Sequence, residues 1–295
     1  MRCSAKAFLF VFAVFQIRPV FAQTDSLAVP SDDSTTVRPW RVAVVTGSLA
    51  ATITAIHLYQ QSGWWKDNRA PFHFQEDLKY GLNVDKIGHA YGGIVEGFVF
   101  KKAFEWTGMR DTQALWWGCG AGLLFQTYVE IEDGLSTWGF DRVDWASDVG
   151  GAAYPLAQLY WPPLRNLDLK FSYHHSNLIN EPGGAGFKGQ KHILFDDYEG
   201  QTLWFCVNVK SVLPAPVDQY WPDWLWLSLG YGARDIATSN PYRVYFLSFD
   251  YDLRKIIPQS TPFLRTLGEA LNYIHFPAPA VRIVPGGAVW YGLYF

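Results

Sequence analysis

The chain has 295 residues, with 24 Lys+Arg against 27 Asp+Glu and a formal charge of -3. That balance excludes a nucleic-acid binder, which needs a clustered basic surplus to neutralise phosphates. A content of 49% hydrophobic and 17% charged residues excludes a disordered chain, and 17% aromatic residues point to a surface that meets both oil and water, hence to a membrane-facing protein.

Residues 1–22 read as a signal peptide. Arg2 and Lys6 precede an apolar run from Ala7 to Phe15, and Val20-Phe21-Ala22 puts small residues at positions -3 and -1 of a cleavage site. The run is far shorter than the roughly 20 residues a membrane span requires. Export to the cell envelope is therefore expected, to the outer membrane or the periplasmic face of a membrane. Residues 23–39 are polar, Pro-bearing and aperiodic, and read as a disordered leader. Cys3 leaves with the signal, and Cys119 and Cys206 are expected as two buried free thiols.

Residues 40–166 read as a helical bundle. Four apolar stretches, Trp40–Tyr59, Lys86–Trp106, Thr112–Ile131 and Val143–Tyr160, each have about 18–21 residues, enough to cross a bilayer. They are weak spans, because Arg41 and His57 flank the first and His89, Glu96, Lys101 and Lys102 lie in the second. The segments Gly118–Gly122 and Gly150–Ala153 are small enough for helix backbones to approach closely.

From 167 to 295 the period changes to two. Leu169, Phe171 and Tyr173 alternate with Lys170 and Ser172; Leu225, Leu227, Leu229 and Tyr231 alternate with Ser228 and Gly230; Tyr245, Leu247, Phe249 and Tyr251 alternate with Ser248 and Asp250. The pattern predicts an antiparallel sheet of about six or seven amphipathic strands and an α+β fold. Two arrangements satisfy it. The apolar face packs on the helices with a wet face outside, or it meets lipid, as in outer-membrane barrels with polar interiors. The expectation is a sheet associated with the helices at a membrane.

Ionisable residues recur at helical spacing in the apolar half. Asp85 and His89 are i,i+4, with Lys86 beside them; Glu130 and Asp133 are i,i+3; Asp141, Asp144 and Asp148 share one face. The candidate site is Asp85, His89, Glu130, Asp144 and Asp148, supported by Lys86, Asp133 and Asp141. Carboxylates with one imidazole suit a divalent metal or an acid/base pair. Each residue also has a plain structural use. Asp85 and Asp141 stand where N-caps belong, Asp144 fits a carboxylate capping box, and the set can fix helix register as a buried network.

Asp85-Lys86-Ile87-Gly88-His89, Glu130 and Asp144-Trp145-Ala146-Ser147-Asp148-Val149-Gly150-Gly151 together resemble the YfiM-like family of envelope proteins, a domain of unknown function, and more distantly the VanZ-like membrane proteins. The run Asp197-Tyr198-Glu199-Gly200-Gln201-Thr202-Leu203-Trp204, the Ser172-Tyr173-His174 triplet and Phe276-Pro277-Ala278-Pro279 are similar to its longer members. The chain departs from the family's lipoprotein label in lacking a lipidation cysteine, and has Asp148 where the VanZ-like pattern tends to Asn. The resemblance implies an envelope location and a fold, not an activity. The expected function is that of an exported, membrane-associated envelope protein, structural or accessory, with membrane lipid as partner. The alternatives are a hydrolase of an envelope lipid or cell-wall precursor that works through the carboxylate/His set, and a lipid or small-solute binder.

Overall fold

In the computed structural model, which describes residues 36–62, 65, 68–180, 196–284 and 286–295, four long helices precede one antiparallel sheet. The predicted signal peptide, the leader up to residue 35 and the glycine-rich loop Pro182–Gly186 lie outside the described residues. The helices are α1 (Pro39–Ser62), α2 (Val84–Trp106), α3 (Asp111–Gly134) and α4 (Arg142–Tyr160). The fold is α+β, and Thr36–Phe295 form one unit.

Glycine sets how closely α2, α3 and α4 meet. A Cβ on Gly151 would stand 2.1 Å from the Ala90 carbonyl oxygen, and one on Gly118 would stand 2.5 Å from the Lys101 nitrogen. Both helices therefore lie backbone to backbone against α2, closer than any larger side chain permits. Of the four apolar stretches, only Pro39–Tyr59 in α1 is long and apolar enough to cross a membrane. The other three fall short because charged and polar residues interrupt them, such as Glu96, Lys101 and Lys102 in α2, Gln126 and Glu130 in α3 and Asp144 and Asp148 in α4. Helix α1 leans on α2 and α3 through Val45 and Leu49, which pack with Phe100, Phe104 and Ala114. Most of its other side, including Val44 and Leu58, is exposed.

The sheet comprises β1 (Leu167–Tyr173), β2 (Gln201–Val207), β3 (Leu225–Arg234), β4 (Tyr242–Tyr251), β5 (Ala278–Val284) and β6 (Gly287–Tyr294), paired in that order. Short helices interrupt it: α5 (Ala215–Asp218) before β3, then α6 (Leu253–Ile256) and α7 (Pro262–Leu271) before β5. The sheet curls until the chain ahead of β5 reaches the free edge of β1, where the Phe171 amide donates to the Tyr273 carbonyl and the His275 amide to the Phe171 carbonyl.

The two faces are assigned in the opposite sense to a soluble sheet. Inside lie Lys170, Ser172, Cys206, Ser228, Ser248 and Asp250, together with the rings of Trp204, Trp226 and Phe246. Gly230 makes room for Trp204, whose ring a Cβ there would meet at 2.7 Å. The outer face is apolar, and cross-strand pairs such as Phe205 with Leu229, Leu229 with Leu247 and Tyr245 with Ile283 run across it. The outer face divides between the two arrangements the alternation allows. Leu169, Phe171, Leu203 and Tyr231 pack against Ile87 and Tyr91 of α2, while Phe205, Leu229 and Leu247 are 46, 51 and 53% exposed. Inside, Lys170 pairs with Asp250 at 2.6 Å, and His275 meets Asp250 at 3.0 Å and stacks on Trp204. Cys119 and Cys206 are buried and free.

Adjacent glycines in α4 are expected to respond in opposite ways. Gly151→Ala forces α4 off α2 and lowers stability by about 1–3 kcal/mol, as overpacking does. Gly150 has nothing within 4 Å of the point where a Cβ would stand, so Gly150→Ala is neutral or stabilises by up to about 1 kcal/mol. Urea unfolding of both variants in detergent checks the contrast.

Candidate functional site

Three positive-φ residues, Gly81, Leu82 and Asn83, lead directly into α2. Leu82 has φ +52, a conformation costly for a side chain with a Cβ. It is held from both sides: the Tyr231 hydroxyl donates to the Leu82 carbonyl, and the Tyr198 ring covers Gly81. The turn places Asp85 one residue inside the helix, and Asn83 is the N-cap, without a side-chain cap bond. The predicted N-cap role of Asp85 is thus corrected. With its N-cap place taken, the Asp85 carboxylate accepts from Lys86 instead.

The Lys86 ammonium is the first centre of the site. It donates to Asp77 at 2.5 Å, Asp141 at 2.9 Å, Asp144 at 3.0 Å and Asp85 at 3.1 Å. Burial opposes its charge, but the bonds to Asp141 and Asp77 and the charges of Asp85 and Asp144 hold it protonated well above the ordinary lysine range. Asp141 is the N-cap of α4, accepting from the Val143 and Asp144 amides, and its own amide donates to Glu130. Against the effect of burial, Lys86 and the Asp77 and Val143 amides hold the Asp141 carboxyl at about 2. Asp144 does not close a capping box, because its carboxylate is turned to Lys86.

His89, one turn further along α2, is the second centre. Its Nδ1 lies 3.0 Å from Asp148 Oδ1 and 3.9 Å from Glu130 Oε1, and its Nε2 lies 3.9 Å from Asp144 Oδ2. Burial alone would lower its pKa; the Asp148 hydrogen bond and the charges of Asp148, Asp144 and Glu130 outweigh it and lift it to about 10. Burial pushes Glu130 up to about 8 and Asp144 to about 7. All five predicted site residues therefore come together, and Lys86 and Asp141 join them. Asp133 lines the same cavity but is held apart, accepting from the Trp65 indole at 2.7 Å.

The cavity measures about 90 Å³ and is lined by Asp77, Asp85, His89, Glu130, Asp133, Asp141 and Asp144, with Tyr80, Trp138 and Tyr198 among its walls. Several lining residues are not marked as such by the sequence, Asp77 and Tyr198 among them. Asp77 lies in an irregular stretch without periodicity, so no signal marks it. Tyr198 belongs to the Asp197–Trp204 run that carries the family resemblance, which was its only signal. Among the described residues, two sets are close enough to hold a metal ion: His89, Glu130 and Asp144, and Asp77, Asp141 and Asp144. A larger cleft of about 520 Å³ lies elsewhere, between α2, α4 and α7. Its charges pair among themselves or with neighbours, as Lys101 with Asp111, Arg254 with Asp168 and Lys102 with Glu269.

No protein-family model, curated protein or solved structure matches the chain.

A pH dependence follows from His89. Its pKa is raised from 6.5 to about 10 on folding, so its contribution to stability is complete below 6.5 and is lost as pH rises through 10. Glu130, raised by burial from 4.5 to about 8, acts in the same direction, since the folded state holds its proton longer than the unfolded state does. The unfolding midpoint in chelator is expected to fall steadily from pH 6.5 to pH 10, and His89→Asn to flatten the upper part of that curve. Thermal melts across the range check both.

Proposed function

We propose that this chain is an exported, membrane-associated protein of the cell envelope with a structural or accessory role. One observation carries the reading: the sheet buries its polar face and leaves a continuous apolar stripe from Phe205 through Leu229 to Leu247 exposed. An apolar patch of that kind on a water-soluble surface is costly, whereas lipid covers it at no such cost. The exposed side of α1 supports the same surroundings. In this reading α1–α4 form one glycine-rich apolar bundle whose α1 side faces lipid, while the charged α2–α4 stay outside the hydrocarbon. The polar centre then fixes how α2, α3 and α4 sit against one another.

Fractionation tests this. The full chain is expected to stay in the membrane pellet through salt and carbonate washes and to enter solution with detergent. Leu229→Arg with Leu247→Arg shifts it toward the soluble fraction, since a cation at mid-hydrocarbon depth costs about 2–4 kcal/mol. Release of the wild type by osmotic shock as a fully soluble protein overturns the reading.

The convergence of Asp85, His89, Glu130, Asp144 and Asp148 favours a second reading, a hydrolase of an envelope lipid or cell-wall precursor. Positioned acid/base groups contribute about 10²–10⁴-fold to rate, so Asp144→Asn is expected to lower turnover of phosphatidylethanolamine/phosphatidylglycerol vesicles by at least about a hundredfold. No product from the wild type, followed by mass spectrometry, sinks this second reading and leaves the first intact.

A further inference from the structure

We propose that His89, Glu130 and Asp144 bind one divalent transition-metal ion, with Asp148 as the residue that orients the imidazole. The inference goes beyond membrane association and can fail or hold independently of it.

Each of the three offers a ligand atom, and these atoms lie within 4.8 Å of one another. Metal–ligand bonds of about 2.0–2.2 Å place such atoms roughly 3–3.5 Å apart, so binding draws them in by about an ångström. His89 is already oriented as a ligand. Its Nδ1 is engaged by Asp148 at 3.0 Å, with Glu130 Oε1 3.9 Å from the same nitrogen, and its Nε2 lies 3.9 Å from Asp144 Oδ2; a carboxylate on the far nitrogen is the usual support of a metal-bound histidine.

Independent of the clustering, three buried carboxylate oxygens of the site lack any hydrogen-bond partner, Asp85 Oδ1 beside Lys86 and two in residues that face His89. Asp144 Oδ1 and Asp148 Oδ2 are both buried, in residues that are 7% and 0% exposed. Asp144 lines the cavity, and with its Oδ2 taken by Lys86 its Oδ1 is the oxygen left for an ion. A buried carboxylate oxygen without a donor is costly, and a cation is the partner that removes the cost.

The neighbouring set, Asp77, Asp141 and Asp144, is the rival by geometry. The Lys86 ammonium already stands 2.5, 2.9 and 3.0 Å from those three carboxylates. It fills the place of a cation there, and the metal is therefore assigned to the His89 side. One imidazole with two carboxylates is a borderline donor set, which favours Zn²⁺ or Mn²⁺ over Mg²⁺ or Ca²⁺.

The full chain is purified in detergent, stripped with chelator and equilibrated separately with ZnCl₂, MnCl₂ and MgCl₂. Metal per protein is read by elemental analysis, and affinity by competition with a chromophoric chelator. The expected result is about one equivalent of Zn²⁺ or Mn²⁺, with Mg²⁺ weaker. His89→Ala and Glu130→Gln are each expected to weaken binding at least tenfold. Asp148→Asn weakens it about 10–100-fold, the usual effect of removing a histidine's orienting partner, and His275→Gln in the distant sheet leaves it unchanged. Glu130→Gln preserves shape, so it decides the matter if His89→Ala does not fold by near-UV circular dichroism. Less than a tenth of an equivalent in the wild type, or unchanged affinity in folded Glu130→Gln, overturns the proposal.

Discussion

One ammonium organises the helical half of the molecule. Lys86 reaches acids from three places in the chain: Asp85 beside it on α2, Asp77 in the irregular segment before α2, and Asp141 and Asp144 at the start of α4. Its three protons face four carboxylates, so the geometry is shared rather than paired. Asp141 passes the link on, since it caps α4 and its amide donates to Glu130 of α3. Such a network contributes little net stability, because desolvating its charges offsets most of the attraction. What it supplies is register. A shift of α4 along α2 would leave several carboxylates buried without a counter-charge.

The glycine contacts and the charge network depend on each other. Gly93 and Gly151 let α4 lie directly on α2: a Cβ on Gly93 would be 2.9 Å from the Asp148 carbonyl. That approach brings Asp148 within hydrogen-bond distance of His89. A bulkier contact would separate the helices and open the His89 centre before touching any of its residues. The sheet repeats the scheme with different groups. Lys170, Asp250 and His275 are enclosed beneath Trp204, and the apolar side chains are turned outward. Both halves of the fold thus enclose a cluster of charges.

Much of this was legible in the sequence. The change of period falls at Leu167, where β1 starts, because alternation of apolar residues is a local property of a strand. The spacing of Asp85 with His89 and of Asp141, Asp144 and Asp148 placed each set on one helix face. The inward face of the sheet was not legible, since alternation reads the same with Ser228 or Leu229 inside. Asp77 was invisible because an irregular segment has no period to mark it. The N-cap of α2 was misassigned to Asp85 because a left-handed turn through Leu82 and Asn83 is set by contacts with Tyr231 and Tyr198, which lie more than a hundred residues away in sequence. Length alone made all four stretches candidates to cross a bilayer, and the charged and polar residues within three of them leave only Pro39–Tyr59 apolar enough.

The curled sheet also sets an order for its own formation. Each strand pairs with its sequence neighbour, so strands can add one after another, most readily where the connection is short, between β3 and β4 and between β5 and β6. Joining Phe171 to Ile274 is different, since it brings together residues at opposite ends of the sheet's sequence. Until that step the edge of β1 has free amides and carbonyls beside an apolar outer face, a template on which a second nascent copy can pair. The interval before closure is therefore when this protein is most exposed to self-association, and when a companion that shields strand edges has the most effect.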